Sequence, residues 1–171
     1  MKIAPKAGSG GGFDILETGP VGTHPATLVD VMDEPQKLVP DFDNPGELVK
    51  KDVTRFLYAY SADGKVHLCQ TWEMTVSSSE KSKLYKHLKG LKGQVPPFDD
   101  PEFDYCDFVG SPCQIVVESK VSRKGKTYVF VDSVSPILSD LVDRCPKIED
   151  VEIPGGRLTP IPEKSGSNDP F

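Results

Sequence analysis

The feature that most constrains the fold is one amphipathic helix standing between two groups of short, β-rich segments. Leu84, Leu88 and Leu91 recur at i, i+4 and i+7, which gives one apolar stripe over about three helical turns. Ser77-Ser-Ser-Glu80 predicts a capping box at its start, and Gly93 before Pro96-Pro97 predicts its end. The lysines between residues 81 and 92 are expected to form a solvated face of this helix.

Three β-strands are predicted before the helix and two after it, from runs of β-branched and aromatic residues bounded by turn signals. Asp63-Gly64 predicts a tight hairpin between strands two and three, and Gly125 predicts one between the last two. The stretch 33–49 contains three prolines and several acids, and it predicts a long loop. The predicted strands are Thr23–Met32, Val53–Tyr60, Lys65–Val76, Cys113–Val121 and Lys126–Val134.

The order β-β-β-α-β-β predicts an all-β fold with one helix, namely the OB-fold, a five-stranded antiparallel barrel with a helix between strands three and four. A β-sandwich would need about seven strands and would lack this helix. The barrel is expected over residues 20–138. Residues 1–19, with the run Gly8-Ser-Gly-Gly-Gly12, predict a flexible arm, and residues 139–171 predict an extended or disordered tail.

Several classes of protein are disfavoured. No window contains the ~20 consecutive apolar residues of a membrane span, and Met1–Lys6 is not followed by the apolar region of a signal peptide. A soluble cytoplasmic protein without a membrane partner is therefore expected. The four cysteines are far apart and predict reduced thiols, with Cys106 and Cys113 as the alternative start of a zinc site.

No catalytic arrangement is recognisable. The acids of residues 99–107 could in principle hold two metal ions, but they lack regular spacing and a partner histidine. No serine has a G-x-S-x-G context, and no glycine-rich loop ends in Lys-Ser or Lys-Thr. We therefore expect no enzymatic activity, no metal and no cofactor.

The charge distribution favours single strands over duplex DNA. A net charge of −6 argues against a broadly basic surface, yet residues 120–126 carry four cations at the tip of the last predicted hairpin. Binding single strands requires a cationic groove and aromatic faces, and an OB-fold offers strands two and three with their flanking loops. The predicted DNA-binding residues are Arg55, Tyr58, Lys65, His67, Trp72, Lys120, Arg123, Lys124, Lys126 and Tyr128.

Two alternatives stay open for the aromatic members of this set. Trp72 fits a core position as well as a base-stacking position, and Tyr58 fits a half-buried barrel position. The period of two in strands two and three predicts that each buries one face, without indicating which.

Short motifs follow one another along the chain: Gly22-Thr-His-Pro-Ala-Thr-Leu-Val-Asp-Val31, Arg55-Phe-Leu-Tyr58, Ser79-Glu-Lys-Ser-Lys-Leu84 with Leu88, Gly110-Ser-Pro-Cys113, and Gly125-Lys-Thr-Tyr128 followed by Val134-Ser-Pro-Ile137. Their order resembles a family of phage and mobile-element proteins described as OB-fold single-stranded DNA-binding proteins. The resemblance covers residues 13–138, with the stretch from Met32 to Asp52 as an insert. It implies a role in DNA replication, recombination or repair inside a bacterial host cell.

The C-terminus, Ser165-Gly-Ser-Asn-Asp-Pro-Phe171, resembles the acidic tip of bacterial single-stranded DNA-binding proteins. The resemblance implies that Asp169, Pro170 and Phe171 dock replication or repair proteins. The rival hypothesis is a protein-interaction module that engages a host factor through its acidic loop and tail, without DNA. A homo-oligomer is compatible with both hypotheses.

Overall fold

The structure is a computed structural model that describes residues 19–162. It consists of one antiparallel sheet with an α-helix, α1, at Lys83–Lys92. The strands are β1 Gly22–Pro40, β2 Leu48–Ala62, β3 Lys65–Gln70, β4 Met74–Thr75, β5 Pro112–Val121 and β6 Thr127–Ser135. The prediction of a mostly β protein with a helix between its third and later strands is confirmed.

The sheet has the strand order β3-β2-β1-β5-β6, and β4 adds to β2. β1 joins its two halves, because Gly22–Thr27 pairs with β5 and Ala26–Pro40 pairs with β2. The chain just after β3 also meets β6 through a single parallel bridge between Thr71 and Val131. The two outer strands of the sheet therefore approach each other at one point.

The prediction of a long loop at residues 33–49 is wrong. β1 and β2 continue as a hairpin to the pair Pro40↔Leu48, so that only residues 41–47 lie outside the strands. Pro35 lies within the register shift between Glu34 and Lys37, and Pro40 ends its strand, so neither proline interrupts a regular ladder.

The third predicted strand is interrupted, because β3 ends at Gln70 and β4 begins at Met74. Thr71 causes part of this break, since its hydroxyl accepts a hydrogen bond from the Phe56 backbone N–H at 3.1 Å. Residues 72 and 73 consequently leave the ladder, which sets the direction of the Trp72 side chain.

The helix begins later than the capping box predicted. Ser82 is the N-cap, and its Oγ accepts from the Tyr85 backbone N–H at 3.0 Å. The end at Gly93 is confirmed, with a φ of 73° and an N–H that donates to the Lys89 carbonyl. The leucine stripe is also confirmed, because Leu84, Leu88 and Leu91 are buried.

The centre of β2 is buried on both faces. Phe56 and Tyr58 face α1, where the Tyr58 hydroxyl lies 2.6 Å from His87 Nε2 and the Phe56 ring meets the His87 ring edge-on. Leu57 and Ala59 alternate with them and point the other way, yet both are fully buried. The expectation that β2 buries a single face is therefore wrong.

Residues 139–162 differ from the extended tail that was expected. They contain 3₁₀-helices at Ser139–Arg144 and Ile148–Asp150, and Ile148 and Val151 belong to the hydrophobic core. We call residues 146–159 the strap, since both of its ends are bonded to β1: the Pro146 carbonyl accepts from the Thr27 hydroxyl, and the Thr159 N–H donates to Asp30. The predicted arm up to residue 18 and the tip at Asp169–Phe171 lie outside the described residues.

Candidate nucleic-acid interface

Three aromatic side chains gather where the chain after β3 meets β6. The Trp72 ring centroid lies 4.9 Å from that of Phe130 and 6.2 Å from that of Tyr128. Tyr128 and Phe130 are two residues apart on β6 and therefore share a face. Trp72 is 43% exposed, and both of its neighbours are half-buried. We call these three side chains the aromatic patch.

Four cations lie beside the aromatic patch on the β5–β6 turn. Lys120, Arg123, Lys124 and Lys126 are all exposed, and residues 119–131 contain no acid. The Lys126 ammonium lies 5.6 Å from the centroid of the Tyr128 ring. We call residues 120–126 the cationic hairpin. It combines with the aromatic patch to give flat apolar faces next to a local excess of positive charge.

The turn geometry of the cationic hairpin follows from its sequence. Gly125 adopts a φ of 83°, which an L side chain rarely adopts. Ser122 and Lys126 close the turn, with a backbone bond of 2.8 Å from the Ser122 N–H to the Lys126 carbonyl. The predicted hairpin is confirmed, and its four cationic residues are exposed.

The residues predicted to bind DNA do not all lie at this surface. Trp72, Tyr128 and the four cations of the hairpin come together, whereas Lys65 is exposed at the start of β3. Tyr58 is fully buried and bonded to His87. His67 is only 7% exposed, and its Nε2 lies 3.3 Å from the Ala62 carbonyl oxygen. Tyr58 and His67 therefore belong to the core rather than to an accessible surface.

Arg55 is held by a protein carboxylate. Its guanidinium lies 3.2 Å from Glu73 Oε2, and the Lys37 ammonium bonds the same oxygen. The Arg55 side chain is 26% exposed, so the pair is partly screened by solvent. A phosphate at Arg55 would have to compete with Glu73.

Phe130 completes the aromatic patch, although it is not among the residues predicted from the sequence to bind DNA. The signal was available, because an aromatic residue two positions after Tyr128 in a predicted strand shares its face. Two predicted residues, Trp72 and Tyr128, belong to the patch. Tyr128 lies on β6 itself, and the break after β3 brings Trp72 to it.

The strap lies across the face of the sheet opposite α1. It runs beside β3, with a groove of about 370 Å³ between Val66–Leu68 and Asp150–Pro154. It returns to β1, where the Asp30 carboxylate accepts from the backbone N–H groups of Leu158 at 2.9 Å and Thr159 at 2.8 Å. The strap therefore crosses the β1–β2–β3 part of the sheet on the side opposite α1.

The cysteines offer no activated thiolate. All four are free, and burial raises the pKa of the Cys69 thiol to about 12. Burial likewise raises the pKa of Cys106 to about 12, with Asp104 and Asp33 adding to the effect. Both thiols are therefore protonated at neutral pH. Within residues 19–162, no group of three or more His, Cys, Asp and Glu side chains is arranged to hold a metal ion.

No protein-family model matches this sequence, and no curated protein matches it. In the part of the chain that the structure describes, none of the helices has the length and apolar character needed to cross a membrane.

Proposed function

We propose that this protein binds single-stranded DNA without strong sequence preference and without catalysis, as a phage-encoded accessory of replication, recombination or repair. The observation that carries the proposal is the aromatic patch beside the cationic hairpin. Base–aromatic stacking contributes about 1–3 kcal/mol per base and tolerates any sequence, because every base has a flat face. The neighbouring cations supply the phosphate contacts.

The fold supports the proposal in a further way. We propose that the sheet is a partly open OB barrel, in which β4 continues β3, and β5 and β6 are the last two strands. The strand order β3-β2-β1-β5-β6 and the parallel bridge Thr71↔Val131 fit this arrangement. In OB-folds the loop between the last two strands takes part in ligand binding, and here that loop is the cationic hairpin.

A strand of some tens of nucleotides is expected to bind more tightly than the matching duplex. Replacing Arg123, Lys124 and Lys126 by Ala should weaken binding and reduce the slope of log K against log salt by about 2, since each neutralised phosphate contributes about 0.7 for single strands. Trp72→Ala should cost about 1–3 kcal/mol of binding energy. Trp72 is the only tryptophan, so quenching of its fluorescence reports binding directly.

The matched control removes three exposed cations from another surface. Lys83 and Lys86 in the first turn of α1, and Lys81 just before its N-cap, are exposed, and their replacement by Ala should change affinity much less than the hairpin replacement does. Equal affinity for duplex and single strand, or an equal loss from both triple variants, would contradict the proposed interface. Absence of any DNA binding would favour the protein-interaction hypothesis.

The C-terminal tip gives a separate proposal, resting on its resemblance to bacterial single-stranded DNA-binding proteins. We propose that Asp169, Pro170 and Phe171 dock a replication or repair protein. Deleting Asn168–Phe171 should leave the protein folded and its DNA affinity unchanged, while abolishing binding to that partner in a pull-down with purified replication proteins. Retention of the partner by the shortened protein would remove the tip from the proposal.

A further inference from the structure

The strap occupies the face of the sheet that an OB-fold uses for oligonucleotides. Tyr58 faces α1, so its neighbours Leu57 and Ala59 point to the opposite face, where both are nevertheless fully buried. Asp30 pairs with Leu57 across the ladder, and the strap is bonded to Asp30 on this side. The strap therefore covers part of the face that OB-folds use for oligonucleotides.

The strap is held mainly by donors that it presents to β1. Thr159 Oγ1 donates to the Val31 carbonyl at 2.8 Å, and the Arg157 guanidinium donates to the Val29 carbonyl. The backbone N–H groups of Leu158 and Thr159 donate to the Asp30 carboxylate. The end of the strap thus meets a row of three acceptors on β1, the Asp30 carboxylate and the Val29 and Val31 carbonyls, in the stretch beyond the pairing of β1 with β5.

Nucleobases carry such donors, and phosphates do not. Cytosine, adenine and guanine have exocyclic amino groups, and carboxylates accept from them. The acceptor row on β1 therefore fits bases facing the sheet, while the phosphates of the same strand would face the cationic hairpin. The strap makes with its own N–H and O–H groups the contacts that bases would make.

The exposed acids and the short regular structure of the strap suit a replaceable occupant, which is anchored to the core through Ile148 and Val151. The strap contains three exposed acids, Glu149, Asp150 and Glu152, and two cations, Lys147 and Arg157, near its ends. Its secondary structure is one 3₁₀ turn, Ile148–Asp150, and the groove of about 370 Å³ separates it from β3. The phosphates of single-stranded DNA and the exposed acids in the middle of the strap repel each other.

We propose that the strap is a built-in competitor that single-stranded DNA displaces from the β1–β2–β3 face. This inference rests on the proposed function. DNA first engages the aromatic patch and the cationic hairpin, and a longer strand then replaces the strap, so that its bases contact Asp30 and the neighbouring carbonyls. The strap thereby lowers the affinity and the number of nucleotides bound.

Hydrogen exchange on the full chain tests displacement directly. Adding a 20-nucleotide single strand should reduce protection of the amides at 148–159, including Leu158 and Thr159, while protection within β6 rises or stays. Unchanged or increased protection of the strap in the saturated complex would overturn the inference. That result would leave the proposed function intact, because binding itself is read from Trp72 fluorescence.

A variant with a weakened strap gives the second test. Arg157→Ala with Thr159→Ala removes two side-chain bonds and leaves β1 unchanged, and the open fraction should rise about tenfold to thirtyfold. Apparent affinity for the 20-nucleotide strand should rise by up to the same factor, with more nucleotides bound per protein. Leu158→Ala is the control, because the Leu158 side chain is 67% exposed and its N–H is retained.

The outcomes separate the two proposals. A doubly substituted protein that melts cooperatively and binds no better than the Leu158→Ala control overturns the competitor role. If the double variant does not fold, the exchange experiment on the natural chain decides alone. If neither protein quenches Trp72 fluorescence with any single strand, both proposals fail.

Discussion

Replacing Gly90 by alanine is expected to destabilise the protein, although alanine is the better helix former. In an exposed helix interior the change would stabilise by up to about 1 kcal/mol. Here α1 packs on β6 so closely that a Cβ at residue 90 would overlap the carbonyl oxygen of Val134. That oxygen is backbone and cannot swing aside. We expect a net loss of about 2 kcal/mol in the free energy of unfolding, as for other overpacked sites.

Urea unfolding followed by circular dichroism measures this loss, with Lys86→Ala as the control. Lys86 lies on the exposed side of the same helix, so its replacement should change stability by less than about 0.5 kcal/mol. A Gly90→Ala protein more stable than the natural one would mean that α1 and β6 are further apart than the structure shows.

The second large effect is a loss of stability in acid that depends on His87. Burial beneath the sheet lowers the pKa of His87 to about 4, whereas in the unfolded chain the pKa of histidine is about 6.5. Above pH 6.5 both states are neutral and His87 adds no pH dependence. Between pH 6.5 and 4 only the unfolded chain takes up the proton, so stability falls by about 1.4 kcal/mol per pH unit, or about 3 kcal/mol in all.

Comparison with His87→Gln isolates this contribution from that of the carboxylates. Glutamine does not titrate, and its amide can bond a hydroxyl as donor or as acceptor. The free energy of unfolding of the two proteins, measured from pH 7.5 to 4, should differ progressively below pH 6.5, with the natural protein losing more. Parallel curves would show that the pKa of His87 is the same in the folded protein as in the unfolded chain.

The strands and the helix could be predicted because their signals are local. The leucines of α1, which recur every three or four residues, act through neighbouring residues only. The same is true of the glycines at the turns 63–64 and 122–125. The same holds for the cationic hairpin, whose charge and turn are both contained within seven residues. The sequence thus indicated the β2–β3 and β5–β6 hairpins but not the β1–β2 hairpin, and it indicated the cationic component of the candidate interface.

What could not be predicted depends on contacts between distant segments. Tyr58 and Trp72 are both aromatic residues in predicted strands, but one meets His87 of the helix and the other meets β6. The strap resembles a disordered tail because it is rich in proline, glycine and acids. Its order comes from distant partners such as Asp30, which lies 128 residues before Leu158 in the chain. No window of sequence contains both partners.

The position of β1 has a consequence for how the protein is made. Its first half pairs with β5, in a register that runs from Thr27↔Pro112 to Gly22↔Val117, partners 85 to 95 residues apart. A nascent chain that has emerged only as far as α1 can close the β1–β2–β3 meander, but it leaves the opposite edge of β1 without a partner. Such an edge is a template for pairing with other chains. Expression at low temperature, which slows intermolecular encounters during synthesis, should therefore raise the soluble yield, and fragments ending before residue 112 should aggregate.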